Sequence, residues 1–155
     1  MMRTYEERIK KYMQEHNIQG EHLSFETSCH SVEEAAKTVN ATPEDFVKNI
    51  CLTDSDGNLI VAIVKGENRV STKRIGRALE IERPKTVNPQ EILDKTGYIC
   101  GGVPSFGYQA IFLIDPRVME KEVVYSGGGS EKSLIKISPE DLQKANQGQM
   151  TRIRK

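Results

Sequence analysis

The 155-residue sequence has no tryptophan and only three cysteines and three histidines. Cys29, Cys51 and Cys100 are odd in number and form no CxxC pair, which argues against a disulfide framework and against a thiol metal site. His16, His22 and His30 all lie early and match neither HExxH nor a Cys–His finger, so neither a metal nor a cofactor is expected. Net charge is also missing: 22 basic residues face 22 acidic ones, which argues against strong indiscriminate binding to nucleic acid. No apolar run approaches the roughly 20 residues of a membrane span; the longest is Leu59 to Val64. The opening MMRTYEERIKKYM carries charge and no apolar centre, so a signal peptide is not expected and the cytoplasm is the expected location. Internal repeats, low-complexity tracts and the phosphate-loop patterns GxxxxGK[ST] and GxGxxG are absent as well.

What is present is the composition of a globular protein, 37% hydrophobic and 28% charged. The length favours one domain over residues 1–155, with an N-terminal helical segment at 1–20 and a basic tail at 147–155. Tyr5, Ile9, Tyr12, Met13 and His16 share a helical face, and Gly20 follows as a stop. His22 to Phe25 reads as a short strand. Ser31, with Glu34 three residues on, reads as a capping box for a helix to about Asn40. Thr42-Pro43 starts a further turn. Phe46 to Thr53 and Leu59 to Val64 flank DSDGN as a hairpin. Ser71, Asn88 and Ser138 each open a helix, and Ala110 to Ile114, Glu122 to Tyr125 and Leu134 to Ile137 read as strands. Without regular βαβ alternation, the expected class is α+β rather than a doubly wound sheet.

Three features bear on chemistry. Lys48 shares its strand face with Phe46, Ile50 and Leu52, where a lysine is costly to bury without an anionic partner; a snorkelling edge lysine is the plain alternative. In Gly101-Gly102-Val103-Pro104-Ser105-Phe106-Gly107, three glycines and a proline make a loop whose backbone can approach a ligand, with amides able to hold an oxyanion, Ser105 to hydrogen-bond and Phe106 to stack on a base. A tight connector is the alternative. Ser126-Gly127-Gly128-Gly129 frees amides for a phosphate or sugar edge, or serves as a flexible hairpin turn. Basic residues also cluster: Lys65, Arg69, Lys73, Arg74, Arg77, Arg83 and Lys85 in one stretch, and Arg152, Arg154 and Lys155 in the tail. They suit a transient RNA substrate about as well as a solvated helix face and a frayed tail.

Together, VEEAA, FVKNICL, NRVSTKRIGRAL, the TGYxxGGVPSFG stretch and SGGGSEKSLIKISPEDL resemble the YbaK-like aminoacyl-tRNA deacylases, related to the editing domain inserted in bacterial prolyl-tRNA synthetases. The resemblance spans roughly Ser31 to Ala145. It implies a curved or barrel-like, mostly antiparallel sheet surrounded by helices. It also implies hydrolysis of the ester joining a wrongly attached amino acid to the 3′-terminal adenosine of tRNA, with a small amino acid such as Ala or Cys on tRNA(Pro) or a related tRNA. On this resemblance Lys48, Gly101 and Gly102 are the catalytic candidates. The substrate-binding candidates are Ser71, Lys73, Val103, Pro104, Ser105, Phe106, Gly107, Ser126, Gly127, Gly128 and Gly129. YbaK proper carries an aspartate where Leu134 stands, which weakens the transfer of its preference for cysteine.

The reading is ester hydrolysis without a protein nucleophile, since no GxSxG elbow or Cys–His pair is evident. The expected partner is the 3′ acceptor end of aminoacyl-tRNA; an aminoacyl-tRNA synthetase stays open as a second partner, and neither a membrane nor DNA is expected. Two rivals differ in class: a non-catalytic tRNA- or nucleotide-binding module, which does not need Lys48 for turnover, and a thiol hydrolase using Cys100.

Overall fold

Every residue from Leu59 to Val64 is buried, so the strand they form has no solvent face. Leu59, Val61 and Ile63 enter one apolar cluster, while Ile60, Ala62 and Val64 enter another on the opposite face. A strand covered on both sides reads as a continuous apolar run, as this one does. The remaining elements are arranged around it in a computed structural model that describes residues 2–26 and 32–155.

The helices are α1 (Met2–Glu15), α2 (Val32–Thr38), α3 (Thr72–Leu79), α4 (Pro89–Thr96) and α5 (Pro139–Asn146). The strands are β1 (Gly20–Ser24), β2 (Val47–Thr53), β3 (Leu59–Lys65), β4 (Lys85–Thr86), β5 (Ile111–Ile114), β6 (Val124–Gly127), β7 (Ser133–Ile137) and β8 (Gln149–Met150). Helix starts follow local chemistry. The side chains of Ser71, Asn88 and Ser138 accept from the backbone amides of Arg74, Glu91 and Asp141, satisfying donors that the first turn leaves free. Thr42-Pro43 opens a 3-10 turn, Pro43–Asp45, rather than an α-helix. Ser31, the expected cap of α2, lies outside the described residues, as do Cys29 and His30.

The strands form two sheets. One is antiparallel in the order β1-β7-β6; the other has five strands in the order β4-β2-β3-β5-β8. The β2–β3 hairpin pairs Lys48 with Val64 and Cys51 with Val61. The α+β class and the mostly antiparallel pairing hold; the barrel-like closure does not. β3–β5 and β5–β8 are parallel pairs; the crossover from β3 to β5 carries α3, β4 and α4, and that from β5 to β8 carries β6, β7 and α5. Among the described residues one isolated backbone bridge, Phe46 to Tyr125, pairs strands of the two sheets, where closure needs a full ladder.

The basic tail is not frayed. Ile153 is fully buried in the cluster beneath α3, and Arg154 bridges Val70. The expected N-terminal helix, α1, packs its Ile9 and Met13 into the main core. Among the described residues no helix is long and apolar enough to cross a membrane.

Candidate active site

Where the two sheets meet, a cleft of about 170 Å3 opens beside the Phe46–Tyr125 bridge. Ala35, Phe46, Ile50, Ile92, Val103 and Leu134 give it an apolar wall, and Lys48, Asn49, Cys100, Tyr125 and Ser126 bring polar groups to it. Val47, Gly101 and Gly127 complete the lining. β2 supplies Lys48, Asn49 and Ile50; the loop after α4 supplies Cys100, Gly101 and Val103; β6 and β7 supply Tyr125 to Gly127 and Leu134. The cleft therefore joins stretches that are far apart in sequence.

Lys48 is half-buried, and no hydrogen bond or ion pair among the described residues engages its amine. Burial depresses its pKa below the ordinary lysine value, the positive charge of Arg69 adds to that, and Glu67 partly offsets it. A desolvated cation at the wall of a cleft is poised for an anion or a developing negative charge, which would supply the partner it lacks.

Below Lys48 runs a hydrogen-bonded seam. Ser105 donates to Asn49 Oδ1 at 2.8 Å and lies 2.7 Å from Ser126 Oγ. Asn49 Nδ2 donates to the Val103 carbonyl at 2.9 Å. Ser105 and Ser126 are buried, so these bonds satisfy groups that water cannot reach. The seam fixes β2, β6 and the glycine loop relative to one another. Sequence reasoning does not single out Asn49; its only signal is its place beside Lys48 in FVKNICL.

The two glycine segments are packed against each other. A Cβ on Gly102 would stand 2.8 Å from the Ser130 amide nitrogen and 2.9 Å from the Gly129 carbonyl carbon. One on Gly127 would run into the Val103 carbonyl oxygen. Gly129 donates to the Gly102 carbonyl at 2.8 Å, closing the contact. Gly102 lacks a side chain because another backbone occupies that space, not because a substrate needs it. Gly101, its neighbour, lines the cleft with a φ of +93° that favours glycine.

Of the other expected site residues, Val103, Ser126 and Gly127 line the cleft with Lys48 and Gly101. Phe106 does not: it is fully buried and stacks on Tyr12 of α1 at a ring separation of 6.1 Å, so it has no face free for a base. Ser105 serves the seam rather than the surface, and Pro104 is buried beside it with its carbonyl accepting from Tyr108. Gly107 faces Ile9 of α1, Gly129 faces the Tyr5 carbonyl, and Gly128 faces the β7 backbone at Leu134. Gly128 also holds His22 through its carbonyl at 2.8 Å. Ser71 is the cap of α3 and Lys73 an exposed residue in its first turn; neither lines the cleft. No group of three or more His, Cys, Asp or Glu among the described residues is arranged to hold a metal.

Comparisons with known proteins bear on the family and the fold. A family described as "Aminoacyl-tRNA editing domain" matches residues 26–145. An uncharacterised protein of Bacillus subtilis, YwhH, is 24% identical over 136 residues, 86% of each chain. Among solved structures, a candidate trans-editing enzyme for prolyl tRNA synthetase superposes with a TM-score of 0.90 at 21% identity, covering 97% of both chains. A hypothetical protein superposes with a TM-score of 0.89 at 21% identity, covering 96% of this chain and 99% of the other. The structural likenesses establish the fold. The family match includes every residue of the cleft, and on it the chain belongs to the aminoacyl-tRNA editing domain family, in its YbaK-like branch.

Proposed function

We propose that this chain, working as a single editing unit, hydrolyses the ester between a wrongly attached small amino acid and the 3′ end of a tRNA, tRNA(Pro) or a related one, acting on the free aminoacyl-tRNA. The observation that carries the reading is the convergence, in one cleft, of a half-buried lysine without a partner among the described residues, a glycine in the left-handed region and a small apolar wall. In this reading Lys48 holds the phosphate of the terminal nucleotide. The Gly102 amide is already donated to the Ile99 carbonyl at 2.9 Å, so in this reading the amides of Gly101 and Val103 face the ester carbonyl and stabilise its oxyanion as water attacks. The water oxygen forms the new bond to the carbonyl carbon, the bond to the ribose oxygen breaks, and the proton passes to that ribose oxygen. The ester is already activated, so positioning supplies much of the acceleration.

The wall favours an alanyl over a cysteinyl substrate. Leu134 stands where YbaK has an aspartate, and it packs in one apolar cluster with Ala35 and Phe46. A methyl side chain fits that room, and a larger one is turned away by size. The test is a panel of mischarged tRNAs, among them Ala-tRNA(Pro) and Cys-tRNA(Pro), with and without a prolyl-tRNA synthetase. Preferential release of alanine supports the assignment. Retained tRNA binding with no ester turnover across the panel would leave a non-catalytic binding module. Full turnover after alkylation of Cys100, which also borders the cleft, removes the thiol route.

A further inference from the structure

The C-terminal residues and the start of α3, some 80 positions apart in the chain, are bound into one surface. Ser71 donates its amide to the Ile153 carbonyl at 2.6 Å, and the Lys155 amide donates to the Arg69 carbonyl at 2.8 Å. Ile153 anchors this strap from below, fully buried against the cluster that contains Ile75 of α3. Asp115, also fully buried, holds the strap from the side. It accepts from the Ile153 and Arg154 amides at 3.1 and 3.2 Å and pairs with the Arg154 guanidinium at 2.8 Å.

This arrangement divides the arginines into two kinds. Arg154 is neutralised internally by Asp115. Arg152, Arg74, Arg117 and Arg69 are exposed and keep their charge outward. Arg152 feels its neighbours: Arg74 most, then Arg154 despite its pairing with Asp115, then slight desolvation and Arg117 depress its pKa, against a smaller opposing effect of Asp115. At the other end, Arg69 acts in the same way on Lys48 in the cleft. A fold that holds like charges together gains when an anion arrives between them. Arg69 links cleft and strap: its charge reaches Lys48 in the cleft and its carbonyl holds the Lys155 amide of the strap, so a polyanion whose end occupies the cleft can also meet the strap.

We propose that the C-terminal strap and α3 form a phosphate track for the acceptor arm of tRNA, running from Lys48 through Arg69 to Arg74, Arg152 and Arg117. The proposal rests on the aminoacyl-tRNA reading for the occupant of the cleft. Its partner is RNA, recognised by backbone charge rather than by sequence.

The test uses the full chain with Arg74→Ala and Arg152→Ala together, leaving Arg154, Ile153 and Asp115 in place; an unchanged melting transition confirms that the strap stays docked. Two readouts are compared with wild type: the ratio of kcat/KM on full-length aminoacyl-tRNA to that on a short aminoacylated oligonucleotide, and the salt dependence of uncharged tRNA binding. The ratio is expected to fall about tenfold, and the slope of log affinity against log salt to flatten by about one to two, roughly one for each phosphate that the variant no longer neutralises. An unchanged ratio and slope overturn the track. If wild type hydrolyses neither substrate, the deacylase reading fails by itself, and the slope with uncharged tRNA still decides the track.

Discussion

Two hollows in this protein invite comparison. The cleft between the sheets measures about 170 Å3, and a wider hollow of about 540 Å3 lies between the end of α1, the segment after Phe106, and α5. The larger one is rich in polar side chains, yet many of them are already engaged in local structure. His16 stacks on Tyr12 at 4.0 Å and bonds to its carbonyl. Asp141 accepts from the Ser138 cap, and Asn146 bonds to Ser105 and Gly148. In the smaller cleft, Lys48 has no partner among the described residues. What distinguishes a site here is polar capacity left unfilled beside apolar walls, rather than room.

The sharpest way to break that comparison is to remove one lysine from each hollow. Lys48→Ala is expected to lower deacylation about tenfold or more with the melting transition retained, whereas Lys144→Ala, an exposed residue of the wider hollow, leaves turnover at the wild-type level. Steady-state kinetics on one mischarged tRNA decides it, and the opposite pattern would move the site.

Next come the glycines behind the cleft. Gly127→Ala and Gly102→Ala each force a Cβ into neighbouring backbone, and each is expected to cost about 1–3 kcal/mol of stability. Activity should then fall only with the folded fraction. Melting and rate measured on the same preparation test this; a Gly102 variant with normal stability and lost turnover would restore a direct catalytic role for that residue.

Leu134→Ala enlarges the wall of the cleft. The kcat/KM preference for alanyl over a larger aminoacyl ester is expected to drop about tenfold, the scale of one or two methylenes in an apolar pocket. An unchanged preference would place the side chain of the substrate elsewhere.

A smaller effect follows from the depressed pKa of Lys48. Phosphate binding needs the charged amine, so affinity for uncharged tRNA should weaken on the alkaline side before the ordinary lysine value of 10.5, and Lys48→Arg should hold it longer. Stability moves the other way: charging a half-buried amine opposes folding, so this contribution improves as pH rises through the folded-state pKa. The smallest expected effect concerns His22, whose pKa is lowered chiefly by burial, partly against its bond to Gly128. Its protonation disfavours the fold, so the melting temperature should slip as pH falls below 6.5, and His22→Gln should flatten that slope.

Local chemistry by itself determined much of this protein. The caps at Ser71, Asn88 and Ser138, the hairpin around DSDGN and the apolar run of β3 were legible because each depends on residues within a few positions of one another. Lys48 stands out in the sequence as a charge among apolar neighbours, and the structure puts it at the cleft; the role proposed for it comes from the resemblance to YbaK-like proteins. Only the tertiary structure decided the rest. Whether Gly102 meets a substrate or the Gly129 backbone depends on a loop about 27 residues away, and whether Phe106 is a platform or a core residue depends on α1. The parallel pairing of β5 with β3 and the docking of Ile153 under α3 depend on partners from distant parts of the chain. Sequence periodicity records which face of an element is apolar; it does not record which distant surface covers that face, because that choice belongs to the packing of the whole chain.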